Sequence, residues 1–255
     1  MRRLLSLVGL CAALGLSAAV ASAVENHALP TGQTTLLDKW FKLQDSGPVY
    51  APYAFIEKNT VQAEQNARKK PLLASIDNLI WRLQAAGQGE LATALSQWRR
   101  HIATATRYRS PGHWGPTALL SGTADIDIDS VAALGACAIP NWIEIWSAAG
   151  VRRLLWQPHM RLVKVLARNG AANFVDTDSV TLVTPYGMVV RRAVGTLDQQ
   201  DTQLLPGMRM VVPIPLGPQA SDWLVQSLGA FLSHLQPGDD CRLMQVHATA
   251  SQRDG

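Results

Sequence analysis

Beyond its first two dozen residues the chain has no run of about 18 uninterrupted apolar residues, the least that crosses a bilayer as a helix. It is therefore read as a protein that is not integral to a membrane. It also lacks an excess of either charge. Without Arg2 and Arg3, 21 basic residues face 19 acidic ones. That balance gives no reason to expect nucleic acid or an anionic membrane as partner. Cysteine is scarce: beyond Cys11 there are only Cys137 and Cys241. In an oxidising compartment such a pair either bonds, tying the C-terminal end to the body, or stays as two separate thiols.

Catalytic and metal signatures are missing too. The six histidines are scattered, with no pair at His-x-x-x-His or His-Glu-x-x-His spacing. There is no Gly-x-Ser-x-Gly elbow, P-loop or dinucleotide fingerprint. Asp125, Asp127 and Asp129 open like a calcium loop, but Ser130 and Ala136 stand where that loop needs glycine and a bidentate glutamate. No metal or cofactor is expected, and binding is favoured over catalysis. A triad assembled across the fold stays open, since such groups need not be close in sequence.

What is present begins with the grammar of export. Arg2 and Arg3 precede the apolar stretch 4–20, and Ala21-Ser22-Ala23 offers the small residues a signal peptidase accepts. Cleavage is expected after Ala23, which delivers the mature chain to a periplasm. Bulky Leu10 argues against lipidation at Cys11.

Hydrophobic periodicity then marks the elements. A short structured run covers 36–43. Pro71 suits the first position of a helix carrying Leu72, Ile76, Leu79, Ile80 and Leu83 on one face. The polar stretch 57–70 can add a helical segment ahead of it. Past Gly87 and Gly89, a second helix aligns Leu91, Leu95, Trp98 and Ile102, giving a hairpin over about 71–106. Residues 124–130 alternate like a strand. From Trp142 onward the pattern predicts strand 142–147, strand 151–156, helix 160–167, strand 179–184, strand 188–194 and strand 208–212. That order is the one of a small β-grasp (ubiquitin-like) domain. A proline spacer leads to a last helix over 219–236, starting near Ser221, and a tail over 237–255.

Two surfaces are candidates for function. Arg107 and Arg109 fall in a loop with Trp114, and arginine forks with aromatic faces suit sugars, carboxylates and phosphates. The plainer reading is surface arginines laying their stems over apolar neighbours. The stripe Leu224, Leu228, Phe231 and Leu235 of the last helix is either core packing or a contact for a partner.

With these residues laid out, the chain resembles the GfcC-like capsule and exopolysaccharide biosynthesis family. The likeness is best at 180–190, with its Thr184-Pro185-Tyr186-Gly187, at Leu205-Pro206-Gly207 and the strand after it, and at the helix 223–235. The resemblance implies an α+β fold of two β-grasp domains, over 24–138 and 139–215, like those of Wza-type outer-membrane polysaccharide exporters. The first would carry the hairpin as an insertion, and the amphipathic helix would follow the second. It further implies a non-catalytic accessory role in periplasmic polysaccharide biosynthesis or export. The partner would be polysaccharide or the outer-membrane export machinery. The family's Arg-x-Pro, matched by Arg109-Ser110-Pro111, implies a pocket residue at Arg109. The alternative is a periplasmic enzyme that modifies polysaccharide.

Overall fold

The computed structural model describes residues 31–121, 126–168, 178–195 and 199–247. The expected leader with its cleavage site lies outside them. Along the chain come α1 (Thr31–Asp45), β1 (Ala54–Lys58), α2 (Val61–Ala85), α3 (Gly89–Thr104) and α4 (Pro116–Leu120). They are followed by β2 (Val131–Cys137), β3 (Trp142–Ser147), β4 (Gly150–Leu155), α5 (Leu162–Arg168), β5 (Ser179–Val183) and β6 (Val189–Ala193). β7 (Arg209–Val211), α6 (Pro218–Ser233) and β8 (Cys241–Gln245) complete an α+β architecture with two sheets. No helix among the described residues is long and apolar enough to cross a membrane.

The smaller sheet has the order β1-β2-β8, all antiparallel. Leu36, Trp40 and Leu43 of α1 cover one face of it, over Ile56, Val131 and Leu134. The C-terminal stretch expected as a tail therefore supplies a strand. Its place is held by the Cys137–Cys241 disulfide, which joins facing residues of β2 and β8.

The larger sheet has the order β4-β3-β7-β5-β6, with β3 and β7 parallel and the other neighbours antiparallel. Both its faces are covered. Ile143, Ile145, Val180, Leu182, Met208 and Met210 meet Leu162, Val165 and Leu166 of α5 on one side. On the other, Trp146, Val183 and Val211 meet α2, α3 and α6. The helical hairpin thus spends its apolar stripe on the larger sheet and α6.

Three local expectations need correction. Pro71 does not start a helix but sits exposed inside α2, which runs on through the polar stretch before it. An interior proline costs about 3 kcal/mol. The seam Val61, Gln65, Leu72, Ile76 and Leu83, buried from end to end of α2, offsets that loss. The described part of 124–130 is not a strand. Asp127 accepts a hydrogen bond from the Asp129 backbone N–H and a 3-10 turn forms over Ile128–Ser130, because short acidic side chains compete for backbone donors. The last helix does not start at Ser221 either: α6 starts at Pro218, after Gly217, and Ser221 is buried within it.

The partner-helix reading is also overturned. Leu224, Leu228 and Phe231 are buried in the core shared by α2, α3 and α6. Leu235 lies past the end of α6, half-buried against the same core, and pairs through its backbone with Tyr108. A stripe flanked by two more helices and a sheet has no face left to offer.

Candidate functional site

Sheet periodicity builds the site. Side chains alternate across a strand, so Trp142, Glu144 and Trp146 of β3 share the face opposite Ile143 and Ile145. Glu144 pairs in register with Arg153 on β4 and Arg209 on β7. A carboxylate is thereby set between two guanidiniums on adjacent strands. Arg153 Nε donates to Glu144 Oε2 at 3.0 Å, Arg209 Nε lies 3.5 Å from Glu144 Oε1, and Trp146 Nε1 donates to Oε1 at 2.9 Å. Asp239, just ahead of β8, closes the cluster. It accepts from Arg153 Nη1 at 2.7 Å and Nη2 at 3.2 Å, and from Trp142 Nε1 at 2.9 Å. The Arg153 guanidinium also lies over the Trp142 ring, 4.1 Å from its centre.

The surroundings set the charges. Burial pushes the Arg209 pKa down, with Glu144 opposing that push. Burial also works against the charge on Arg153, but hydrogen bonds to Asp239 and Glu144 outweigh it and hold its pKa above the ordinary value. Burial raises Asp239, but Arg153, Trp142 and Arg209 together outweigh it, so that its pKa ends below the usual carboxylate range.

Two adjoining clefts open beside this cluster, of about 320 Å³ and about 580 Å³. Glu144, Arg153, Arg209 and Asp239 line the smaller one, and Glu57, Lys58 and Asn59 the larger. Thr106, Arg107 and Gln236 line both. Arg107 is exposed, and its Nη1 donates to the Asp239 backbone carbonyl at 2.9 Å. Gln236 is buried, and its Nε2 donates to Glu57 Oε1 at 3.0 Å. That bond fixes which way the amide points and leaves Gln236 Oε1 buried with no hydrogen-bond partner. Burial raises the Glu57 pKa, with Gln236 pulling the other way.

Of the loop residues expected to bind ligand, only Arg107 reaches a cleft. Arg109 is fully buried and works as a clamp. Its Nε donates to Leu235 O at 2.9 Å, its Nη1 donates to Pro185 O, and its backbone N–H donates to His234 O at 2.7 Å. Burial, then repulsion from Arg209, pulls its pKa down to about 9, which still leaves it charged at neutrality. Gly187, at φ 84°, allows this docking: a Cβ there would stand 2.7 Å from Ser233 O and 2.8 Å from Pro111. The Thr-Pro-x-Gly and Arg-x-Pro pieces thus meet each other inside the protein rather than at a pocket. Trp114 donates to Ser110 O at 3.1 Å and packs on the core of the smaller sheet, lining neither cleft. Replacing Arg109 by alanine would orphan two buried carbonyls, each worth about 1–3 kcal/mol. A loss of about 3 kcal/mol in denaturant unfolding is therefore expected. Weaker ligand binding at unchanged stability would instead return Arg109 to a binding role.

Spacing does not announce Glu144, Arg153 and Arg209, which strand pairing brings together, nor Gln236 and Asp239, which reach them from the segment between α6 and β8. One signal was readable. Glu144 and Arg209 each carry a charge inside an otherwise apolar strand, at positions where a covered sheet should hold none without a partner. Among the described residues no group of three His, Cys, Asp or Glu side chains is placed to hold a metal ion. No protein-family model matches the chain, and no curated protein matches it.

Proposed function

We propose that this is a periplasmic, non-catalytic accessory protein for capsule or exopolysaccharide biosynthesis or export. In this reading it is of the GfcC-like kind and binds saccharide in the paired clefts. The observation that carries the binding role is the exposed guanidinium of Arg107, which lines both clefts and spends one N–H on the Asp239 carbonyl. Arginine donors suit the many oxygen acceptors of a sugar. Binding rather than turnover fits the carboxylates of the smaller cleft: Glu144 and Asp239 are engaged by arginines, and Asp239 is held ionised. The β-grasp reading of the larger sheet is supported by its order. Numbered within the unit, the strands run 2-1-5-3-4 with the first and last parallel, and one helix follows the second strand.

A second reading, a polysaccharide-modifying enzyme, rests on Glu57. It is a half-buried carboxyl of raised pKa beside the larger cleft, the character of a general acid. Surface polysaccharide in a strain lacking the protein separates the two. The accessory role is expected to leave full-length polymer accumulated inside and depleted outside, restored by the wild-type chain. Polymer of altered length or substituents, unrestored by Glu57→Gln, would favour the enzyme. Unchanged polysaccharide would overturn both.

A further inference from the structure

The charges around the smaller cleft are not evenly matched. Glu144 is flanked by Arg153 and Arg209, and Arg153 is shared with Asp239. Arg107 stands outside this arrangement. Its one assigned contact is a backbone carbonyl, and among the described residues no carboxylate forms an ion pair with it. A guanidinium carries five N–H donors in a fixed fork. Arg107 uses one of them on Asp239 O, and the rest of its exposed fork remains for a ligand at the ridge between the clefts. Buried Arg209 is not spare, since its Nε faces Glu144 Oε1 at 3.5 Å. The wall therefore presents one exposed cation that no carboxylate matches. The aromatic rings beside it are occupied: Trp142 lies under Arg153, and Trp146 is buried edge-on against Trp98. Recognition there falls to polar groups rather than to stacking on a sugar ring.

We infer that the cleft selects an acidic saccharide. A carboxylate or phosphate on the sugar docks on Arg107. This rests on the reading of the clefts as a saccharide site and names the class of saccharide. The fork of Arg107 matches the two oxygens of either anion, so the shared chemistry is a planar or tetrahedral oxyanion on a hydroxylated ring.

Titration calorimetry on the mature protein tests it with three oligosaccharides of equal length: one bearing uronic acid, one bearing phosphate and one neutral. At least one acidic ligand should bind about tenfold or more tightly than the neutral one, with an advantage that shrinks as salt is raised. Whichever acid binds better identifies the anion. Arg107→Gln should erase the advantage at an unchanged unfolding midpoint, since the side chain is exposed, and Arg107→Lys should retain part of it. Equal binding of acidic and neutral ligands, or an advantage that survives Arg107→Gln, overturns this inference and leaves the saccharide site standing. If none of the three binds, the saccharide reading itself fails and takes the inference with it.

Discussion

Replacing Glu144 by glutamine is expected to lower the unfolding free energy by about 3–5 kcal/mol, although the side chain keeps its shape. The carboxylate is 5 % exposed, and so is Arg209. With the charge gone, Arg209 keeps its hydrogen bond to Gln236 O at 2.8 Å but loses the counter-ion 3.5 Å away. A guanidinium already penalised by burial then loses the largest charge that opposes the penalty and keeps only the smaller pull of Asp239. Arg153 fares better, being half-exposed and retaining Asp239. The loss should therefore belong to the Glu144–Arg209 pair. A double-mutant cycle isolates it: adding Arg209→Met to Glu144→Gln should recover most of the stability, because removing both charges ends the unpaired burial. For a chain of this size the single variant should melt roughly 6–20 °C lower, at about 2–4 °C per kcal/mol. Denaturant unfolding of the four proteins decides it. A loss under about 1 kcal/mol for Glu144→Gln would mean that Arg209 is solvated in a way its burial does not suggest.

Opening the disulfide should cost about as much. Cys137 and Cys241 are 104 residues apart in sequence. Closing a loop of about 100 residues restricts the unfolded chain by about 4.7 kcal/mol in the chain-entropy account, and native disulfides typically contribute about 2–5 kcal/mol. Cys137→Ser with Cys241→Ser, or reduction of the wild-type protein, is expected to remove about 4 kcal/mol. The loss has a location. β8 is an edge strand of a three-stranded sheet, tied to β2 by their ladder and this bond, with Arg242 donating to Ser46 Oγ and Pro48 O as the other polar hold on it. Amide exchange should accelerate first at residues 241–245, and at β2 after it. Asp239 lies two residues before Cys241, so loss of β8 should also loosen the clamp on Arg153 and Trp142. A variant as stable as the wild type, with β8 still protected, would show that the strand is held by packing alone.

These effects bear on how much of the molecule could be read in advance. The larger sheet was legible because its strands alternate cleanly and its turns are marked by glycine and proline. Residues 142–147, 151–156, 179–184 and 188–194 match β3, β4, β5 and β6 within one residue at either end. The helices of the hairpin were legible for the same reason, with Leu95, Trp98 and Ile102 all buried as their spacing demands. The smaller sheet was not. β1 and β2 lie far apart in sequence and β8 follows after α6, so no local pattern announces that the three meet. The site suffered likewise. Arg109 looked like a pocket residue because arginine near aromatic and proline residues suits ligands. Nothing local says that Pro185 O and Leu235 O would absorb its donors. Arg107, two residues earlier, reaches the clefts instead, and nothing local distinguishes the two arginines.

The sequence by itself determined the strands of the larger sheet and the helices of the hairpin, and through the alternation in Trp142–Ser147 it determined which face of β3 would carry a charge. Periodicity is a property of neighbours a few residues apart, and it survives without knowledge of the fold. Tertiary structure alone decided what that charge meets. Register across β4-β3-β7 places Arg153 and Arg209 beside Glu144, and the disulfide delivers Asp239 from the far end of the chain. It also decided that the stripe of α6 is core, since a helical stripe of leucines is the same in sequence whether a partner or the protein's own hairpin covers it. Burial and charge pairing are sums over residues distant in sequence, which is why the chemistry of the clefts appears only once the chain is folded.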